Sequence, residues 1–181
     1  MASGLPADPV GAAEWLIGST LSHEGAGGII VETEAYRDDD PASHSYKGSR
    51  AGIASMFACA GTLYVYRSYG LNWCLNIVCR PGSAVLIRAI APTQGLERMR
   101  QRRGVDDPRL LCAGPGRLTQ ALGITGALDG VALQHSPLTL APRSGGLEVV
   151  SGPRIGIARA VDRPWRFGLA GSPFLSRPFP G

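Results

Sequence analysis

Two acidic side chains, Glu32 and Glu34, lie two residues apart in an apolar stretch that alternates like a β-strand. Residues two apart share a face of a strand, so both carboxylates, together with Ile30, are expected on one face. A carboxylate on a buried strand costs free energy unless it is paired or used. Desolvation would raise its pKa and let it accept a proton near neutral pH. A salt bridge to Arg88 is the favoured interpretation of this strand alone.

Arg88 is the one charged residue of a second apolar stretch, residues 84–90, and would need an acceptor inside a sheet. It could anchor Glu34 structurally, or the two groups could hold a water molecule between them. His44 lies in a polar loop soon after the glutamate strand. A lone loop histidine is usually solvated and inert, whereas one within reach of a carboxylate could hydrogen-bond a substrate. The sequence leaves these alternatives open.

Residues 61–79 have the pattern of a β-hairpin, because aliphatic residues and tyrosines alternate before Gly70, which allows a tight reversal. Tyr69 lies beside that reversal, where an aromatic ring has little to pack on. On a protruding hairpin of an arginine-rich chain, such a ring could enter stacked duplex DNA. On this segment alone, a tyrosine folded back onto its own domain is favoured, because tyrosines usually pack.

Two further features could bind a ligand. Asn76 shares a face with the hairpin tyrosines if the strands are in register, so its amide could read the edge of a base or bond to a neighbouring backbone group. Gly114 and Gly116 precede Arg117 at the start of a predicted helix, where free amides would suit a phosphate. Ordinary helix punctuation would explain the same glycines.

Hairpins and short connections between the predicted elements indicate the α+β class. We expect one mixed domain over residues 1–181, with a central, mostly antiparallel sheet, a protruding β-hairpin and surrounding helices. Strands are expected at residues 27–35 and 84–90, and Thr93 is expected to cap a helix that reaches Arg103. The remaining predictions are a short helix leading into a strand within residues 9–21, a helix ending at Leu122, irregular chain over 131–142, and short strands near 146–151, 155–160 and 166–168.

Composition limits the class of protein. The chain has 181 residues, of which 44% are hydrophobic and 18% charged, as in a globular domain. No apolar run approaches the ~20 residues needed to span a bilayer, and no signal peptide is recognisable, so a cytoplasmic, nucleoid-associated location is expected. The four cysteines lack metal-ligand spacing. Of 18 basic residues 17 are arginine, compatible with nucleic-acid binding or with a high-GC coding bias.

Several motifs follow one another along the chain: IVETEAY (30–36), ASHS (42–45), MFACAGTLYVYRSYGLNWCLNIV (56–78), AVLIRAIAP (84–92), GLERMRQRR (95–103), CAGPGRLTQALGI (112–124) and GSPFLSR (171–177). Their order and spacing closely resemble the alkyladenine DNA glycosylase family, also called methylpurine-DNA glycosylases. The resemblance covers nearly the whole chain, from about Trp15 onward.

The resemblance implies roles for individual residues. Glu34 matches the general base that activates water, and Arg88 matches the arginine that helps to hold this water. Tyr36 and His44 match residues that sandwich and hydrogen-bond a flipped base. His44 is therefore expected both in the base pocket and among the catalytic residues. Tyr66 matches another wall of the base pocket.

The resemblance also assigns residues that meet the DNA. Tyr69 matches the aromatic that enters the minor groove and fills the gap left by the extruded nucleotide. Asn76 matches the residue that screens against the exocyclic amine of guanine. The family needs no metal or cofactor. One segment departs from the family pattern: residues 50–55 read RAGIAS where polar residues are common, which puts contacts supporting the loop in doubt.

The implied activity is that of a monofunctional DNA glycosylase in base excision repair. It would flip alkylated or deaminated purines out of double-stranded DNA and hydrolyse the N-glycosidic bond, acting as a monomer. No lysine lies at the expected centre, so a Schiff-base lyase step has no obvious nucleophile. The alternatives are a catalytically silent protein that recognises distorted DNA, and a hydrolase of free nucleosides or RNA.

Overall fold

The computed structural model describes residues 4–180. They form one mixed α+β domain around an eight-stranded antiparallel sheet, as the sequence predicted. Along the sheet the strands follow the order β3-β4-β5-β2-β1-β6. Outside this order, β8 pairs with β2, and β7 pairs with β8. The strands are β1 (Thr20–His23), β2 (Ala26–Tyr36), β3 (Leu63–Ser68), β4 (Asn72–Arg80), β5 (Ser83–Gln94), β6 (Leu138–Ala141), β7 (Val149–Gly152) and β8 (Arg166–Leu169).

Four short α-helices pack into the main core. They are α1 (Pro9–Leu16), α2 (Leu96–Arg103), α3 (Pro108–Leu111) and α4 (Pro115–Leu122). Asp8 caps α1 by accepting a hydrogen bond from the Gly11 amide, with proline at the first helical position. None of the helices described between residues 4 and 180 has the length and apolar character that crossing a bilayer requires.

Strand alternation gives the sheet two different faces. Leu63 and Val65 of β3 belong to the main core, which contains buried residues of all four helices. Tyr64 and Tyr66 point to the opposite face, where Tyr64 packs in a smaller apolar cluster around Met56. The period of two in the sequence is therefore realised as a helix-covered face and a second face that is free to build a site.

The strand that carries the two glutamates contains an irregularity that the sequence did not reveal. Ile30 pairs with Ile90, but Glu32 already pairs with Ala89, so that one extra residue of β2 is accommodated between them. Such a β-bulge reverses the alternation. Ile30 therefore lies in the main core with Ala35, and its predicted place on the face of the glutamates is wrong.

Three predicted element boundaries are also wrong. Thr93 lies within β5, and α2 begins after Gly95, which has a left-handed φ of 68°. A Cβ at Gly95 would lie 2.3 Å from the Gly25 carbonyl oxygen, so close packing there requires glycine. Residues 138–141 form strand β6 against β1, although irregular chain was expected. Residues 155–160 form no strand, and the Ile155 amide binds a side chain instead of a neighbouring strand.

Candidate active site

The register of the sheet brings residues from four strands into one row. Tyr64 of β3 lies opposite Asn76 of β4, Asn76 lies opposite Leu86 of β5, and Leu86 lies opposite Glu34 of β2. Directly opposed residues have Cβ atoms about 4.5–5.5 Å apart. Two predicted candidates, Asn76 and Glu34, thus lie in one row on the face away from the helices, although they come from segments separated by many residues.

A cleft of 470 Å³ opens on this face. Its size suits a small aromatic ligand such as a nucleobase with its sugar. The residues that line it come from the end of β2, the polar loop, the 3₁₀ turn Ala54–Phe57, the hairpin, β5, the start of α4 and the loop after β7. They are Tyr36, Ala42, Ser43, His44, Met56, Tyr64, Tyr66, Arg67, Ser68, Tyr69, Cys74, Asn76, Leu86, Arg88, Pro115, Ile155, Gly156 and Ile157.

Glu34 is fully buried beneath the cleft, and three donors that line the cleft bind its carboxylate. The Ile155 amide donates to Oε1 at 2.7 Å, and the Tyr36 hydroxyl and Arg88 Nη1 donate to Oε2 at 2.9 and 3.2 Å. Burial raises the pKa of the Glu34 carboxyl, and the Arg88 guanidinium with the other donors opposes that rise. This carboxylate is desolvated, oriented and separated from the cleft by one layer of groups.

Glu32 has a different environment. Its carboxylate is also fully buried, but it accepts from Arg88 Nε at 3.0 Å and Arg166 Nε at 2.8 Å. Of these three residues only Arg88 lines the cleft; Glu32 and Arg166 do not. Arg88 therefore bridges the two glutamates, and the salt bridge favoured for the isolated strand exists for both of them.

Tyr36 closes the cleft beside Glu34. Burial, and then the Glu34 charge, raise the pKa of Tyr36 well above its usual 10.0, so that its hydroxyl stays a hydrogen-bond donor. The guanidinium of Arg154 lies 4.7 Å from the centre of the Tyr36 ring and forms a fully buried ion pair with Asp40. This pair holds the tyrosine from behind and fixes the chain next to Ile155.

His44 stands against two tyrosines. Its Nδ1 lies 2.8 Å from the Tyr64 hydroxyl, and its ring meets that of Tyr66 edge to face with centroids 4.6 Å apart. Partial burial and the nearby Arg50 lower the pKa of His44, which favours a neutral imidazole at neutral pH. The histidine is neither isolated nor bound to a carboxylate, since its ring nitrogen pairs with the Tyr64 hydroxyl.

Tyr64 and Asn76 complete the floor of the cleft. The Tyr64 and Tyr66 rings are stacked with centroids 5.2 Å apart, and burial raises the pKa of both hydroxyls. The amide of Asn76 donates to the Tyr64 carbonyl oxygen at 3.0 Å, which is the backbone contact left open by the sequence. Asn76 is 4% exposed and still lines the cleft.

The tip of the hairpin projects from the mouth of the cleft. Tyr69 is 92% exposed and has a left-handed φ of 52°, so the expectation that it folds back onto the domain is wrong. Leu71, on the other side of Gly70, is 76% exposed. Two large apolar side chains in open solvent at one turn form a small wedge, which is a feature of binding sites more than of packing.

The start of α4 lies beside the turn end of the hairpin, at the first residue of β4. Pro115 lines the cleft, and a Cβ at Gly116 would meet Cβ of Asn72 at 2.7 Å, so glycine permits the close approach of helix and hairpin. Gly114 precedes the helix without a side-chain cap, and Arg117 is exposed one turn from the cleft. The predicted phosphate contacts are thus close to the cleft, and their role stays a prediction.

Some residues of the site were missed in the sequence. Tyr64 was recognised only as a strand residue, although the tyrosine alternation placed it on the face of Tyr66. Arg154 and the Ile155 amide gave no local signal, because their partners lie more than 110 residues away. The atypical segment 50–55 has its own contacts: Arg50 donates to the His44 carbonyl oxygen, and Ser55 donates to Asp129.

Among residues 4–180, no group of three or more His, Cys, Asp or Glu side chains is arranged to hold a metal ion. The cleft instead offers aromatic rings, hydroxyls and the guanidinium groups of Arg67 and Arg88 above a buried carboxylate. This donor set suits a planar, nitrogen-rich ligand and a hydrolytic step that depends on a carboxylate.

Comparison with known sequences identifies the family. A family model described as methylpurine-DNA glycosylase (MPG) matches residues 4–173. The chain belongs to this family. The match includes every predicted site residue, and it confirms the resemblance and the prediction of a DNA N-glycosylase.

Curated relatives are similar over nearly their whole lengths. A protein of Nitrosospira multiformis is 57% identical over 176 residues, which are 96% of this chain and 91% of the relative. One of Rhodopseudomonas palustris is 58% identical over 91% of this chain and 82% of its own, and one of Agrobacterium fabrum is 54% identical over 95% and 89%. All three bear the name "Putative 3-methyladenine DNA glycosylase".

Proposed function

We propose that this protein is a monofunctional DNA glycosylase that flips an alkylated or deaminated purine out of duplex DNA and hydrolyses its N-glycosidic bond. The whole chain acts as one glycosylase domain, as a monomer, on the DNA of the nucleoid, without metal or cofactor. The observation that carries the proposal is the buried carboxylate of Glu34, held by Ile155, Tyr36 and Arg88 directly below an aromatic cleft.

Glu34 acts on the sugar side of the scissile bond. Departure of the base leaves an oxocarbenium-like sugar, which a fixed carboxylate stabilises without reorganisation of solvent. The same carboxylate orients a water molecule and accepts its proton. Arg88 shares this water, because its guanidinium lines the cleft while Nη1 remains on Glu34. His44 orients the substrate from the opposite wall.

The aromatic walls bind the flipped base. Stacking of a base on an aromatic ring is worth roughly 1–3 kcal/mol, and Tyr36 and Tyr66 each offer a ring to the cleft. A cationic methylated purine gains further from the electron-rich ring faces. Asn76 screens against guanine, whose exocyclic amine would meet an amide already bound to the Tyr64 carbonyl.

Two surface features engage the duplex. Tyr69 enters the minor groove from the tip of the hairpin and occupies the stack that the extruded nucleotide leaves. Amides at Gly114 and Gly116, with the Arg117 side chain, bind backbone phosphates at the start of α4. Both features lie at the mouth of the cleft, so one docking pose can use them together.

A base-release assay tests the function. Duplexes that contain methylated adenine, methylated guanine, hypoxanthine or ethenoadenine are incubated with the protein, and the free base is measured by chromatography. We expect release of at least one of these bases and none from undamaged DNA. No release from any duplex, together with tight binding to distorted DNA, would favour a silent binding protein. Equal turnover on free nucleosides or RNA would favour the alternative of a hydrolase that acts on those substrates.

The product is expected to be an intact abasic strand. A lyase step needs an amine nucleophile, and Lys47, the only lysine, is exposed at the end of the 3₁₀ turn His44–Lys47 and does not line the cleft. Gel electrophoresis before and after alkali distinguishes the two products. An intact abasic strand breaks only after alkali is added, whereas the product of a lyase step is already broken before it. Strand nicking by the purified protein before alkali would show that the enzyme is not monofunctional.

Activity is expected to fall in acid with a midpoint above pH 4.5. Burial raises the pKa of Glu34 above its ordinary value of 4.5, and only the ionised form accepts a proton, so activity is lost as the pH falls through the raised pKa. Single-turnover release of 3-methyladenine is the suitable measurement, because a cationic base needs no protonation to leave. After subtraction of the enzyme-free rate, a midpoint at or below 4.5 would contradict this assignment.

A further inference from the structure

The carboxylate of Glu32 lies at the centre of a buried network that reaches the C-terminal end of the chain. Besides its two arginine partners, it accepts two hydrogen bonds from Ser176: the hydroxyl lies 2.7 Å from Oε1, and the amide lies 2.5 Å from Oε2. These groups are 144 residues apart in sequence. Four donors thus converge on one carboxylate that does not itself line the cleft.

Ser176 also contacts Arg88 directly. Arg88 Nη2 donates to the Ser176 hydroxyl oxygen at 3.4 Å, while Nε donates to Glu32 and Nη1 donates to Glu34. All three nitrogens of the guanidinium are therefore engaged, each on a different residue. A guanidinium is planar and rigid, so fixing Nε and Nη2 determines the direction in which Nη1 points.

Residues 172–180, the C-terminal segment, form no helix or strand and are held by side-chain contacts. Arg166 of β8 donates to the carbonyl oxygens of Arg177 and Pro178, and its guanidinium lies 4.0 Å from the Phe179 ring centre. The Phe179 ring packs on Gly168, where a Cβ would approach it to 2.4 Å. The segment is thus fastened to β8 at the place where Ser176 reaches the glutamates.

We propose that the C-terminal segment positions the Arg88 guanidinium against Glu34, with Ser176 as the positioning residue. Ser176 does not line the cleft and touches no substrate, so it acts only through Arg88 and Glu32. The inference rests on the proposed function, since it assigns a role in the same hydrolytic step. It extends that function to a segment whose sequence shows no catalytic pattern.

The effect of Ser176 should be visible in the ionisation of Glu34. Arg88 lowers the pKa of Glu34 against the larger effect of burial, so a less well-placed Arg88 leaves that pKa higher. The titratable and charged groups around Glu34 are Glu32 and Tyr36 on β2, Tyr66 on β3, Cys74 on β4, Arg88 on β5 and Arg166, which pairs opposite Glu34 on β8. Burial raises the pKa of Tyr36, Tyr66 and Cys74, so these groups stay neutral over the acid range.

The test compares Ser176→Ala with two matched variants. Ser172→Ala removes a hydroxyl from the same segment, where it accepts only from the nearby Phe174 amide. Ser176→Thr keeps the hydroxyl. For Ser176→Ala we expect a roughly 3- to 10-fold lower single-turnover rate at saturating protein, unchanged duplex affinity and an acid midpoint shifted to higher pH. Ser172→Ala should match the wild type, and Ser176→Thr should recover most of the rate and the midpoint.

A second measurement does not depend on activity. The chain has six glutamates, so carboxyl-¹³C-labelled glutamate gives a small spectrum in which Glu34→Gln identifies one signal. Its titration should move to higher pH in Ser176→Ala. An inactive wild type would end the proposed function while this titration still reports on positioning. Unchanged titration and rate in folded Ser176→Ala, equal losses in Ser172→Ala, or no recovery with threonine would overturn the inference.

Discussion

Replacing Glu34 by glutamine is expected to lower the single-turnover rate of base release by about 10²- to 10⁴-fold. Glutamine has nearly the same shape, and its carbonyl oxygen can still accept from the Ile155 amide. It carries no charge to stabilise the oxocarbenium-like sugar and cannot take a proton from water. Affinity for lesion-containing duplex, measured by fluorescence anisotropy, should be nearly unchanged, because the Glu34 side chain is fully buried and adds little to the surface that would bind the duplex.

The matched control for this variant is Glu148→Gln. Glu148 is exposed in the loop before β7, so its replacement makes the same change in net charge away from the cleft. This control should keep the wild-type rate. Near-ultraviolet circular dichroism shows whether Glu34→Gln keeps its packing, since Arg88 retains Glu32 as an ion-pair partner. A folded Glu34→Gln protein with wild-type turnover would remove Glu34 from the mechanism.

The local parts of this site were predictable from the sequence. Alternation along β3 places Tyr64 and Tyr66 on one face, and Gly70 marks the reversal of the hairpin. Both are short-range patterns, fixed by the period of a strand and by the φ angles that glycine permits. The ordered motifs added the family, which the comparison confirms. Residue types, elements and family were therefore accessible without coordinates.

The assembly of the site was not predictable in this way. Nothing in the sequence states that Leu86 pairs with both Asn76 and Glu34, because register depends on packing between distant segments. The bulge that moves Ile30 to the main core is likewise a property of pairing between β2 and β5. Residues 155–160 were expected as a short strand, but the Ile155 amide donates to the Glu34 carboxylate.

The environment of the two glutamates shows the same limit. Local spacing treats Glu32 and Glu34 alike, since both lie on one face of β2. Residues far along the sequence make their environments different. Ser176 and Arg166 donate hydrogen bonds to Glu32, whereas Ile155, which lines the cleft, donates one to Glu34. Desolvation alone therefore does not single out a candidate catalytic carboxylate. The stronger criterion is that all three donors to Glu34 also line the cleft.

The exposed tip of the hairpin has an unusual backbone conformation. Tyr69 has a left-handed φ of 52°, which is unusual for a bulky residue and costs of order 1–3 kcal/mol. The conformation directs a ring that is 92% exposed into solvent, where it gains little from packing. A backbone cost without a folded-state benefit is consistent with a side chain whose stabilising contacts form only when DNA is bound.

Tyr69→Ala is expected to reduce base release from duplex DNA by roughly 5- to 150-fold, the equivalent of about 1–3 kcal/mol of base–aromatic stacking. Without the ring, the gap left by the flipped nucleotide stays empty, and the cost of unstacking is no longer offset. The loss should be smaller for a mispaired lesion, which is cheaper to unstack, and smallest for the same lesion in single-stranded DNA. Single-turnover rates on these three substrates measure the difference.

Two control variants separate insertion from general damage. Tyr69→Phe keeps the ring and should keep most of the duplex rate, because stacking does not need the hydroxyl. Tyr46→Ala removes another exposed tyrosine, from the 3₁₀ turn that begins at His44, and should leave the ratio of duplex to single-strand rates unchanged. The thermal midpoint of Tyr69→Ala should stay close to that of the wild type, since the ring packs on little. Equal losses on duplex and single strands would exclude a wedge and leave the hairpin tip as an ordinary binding surface.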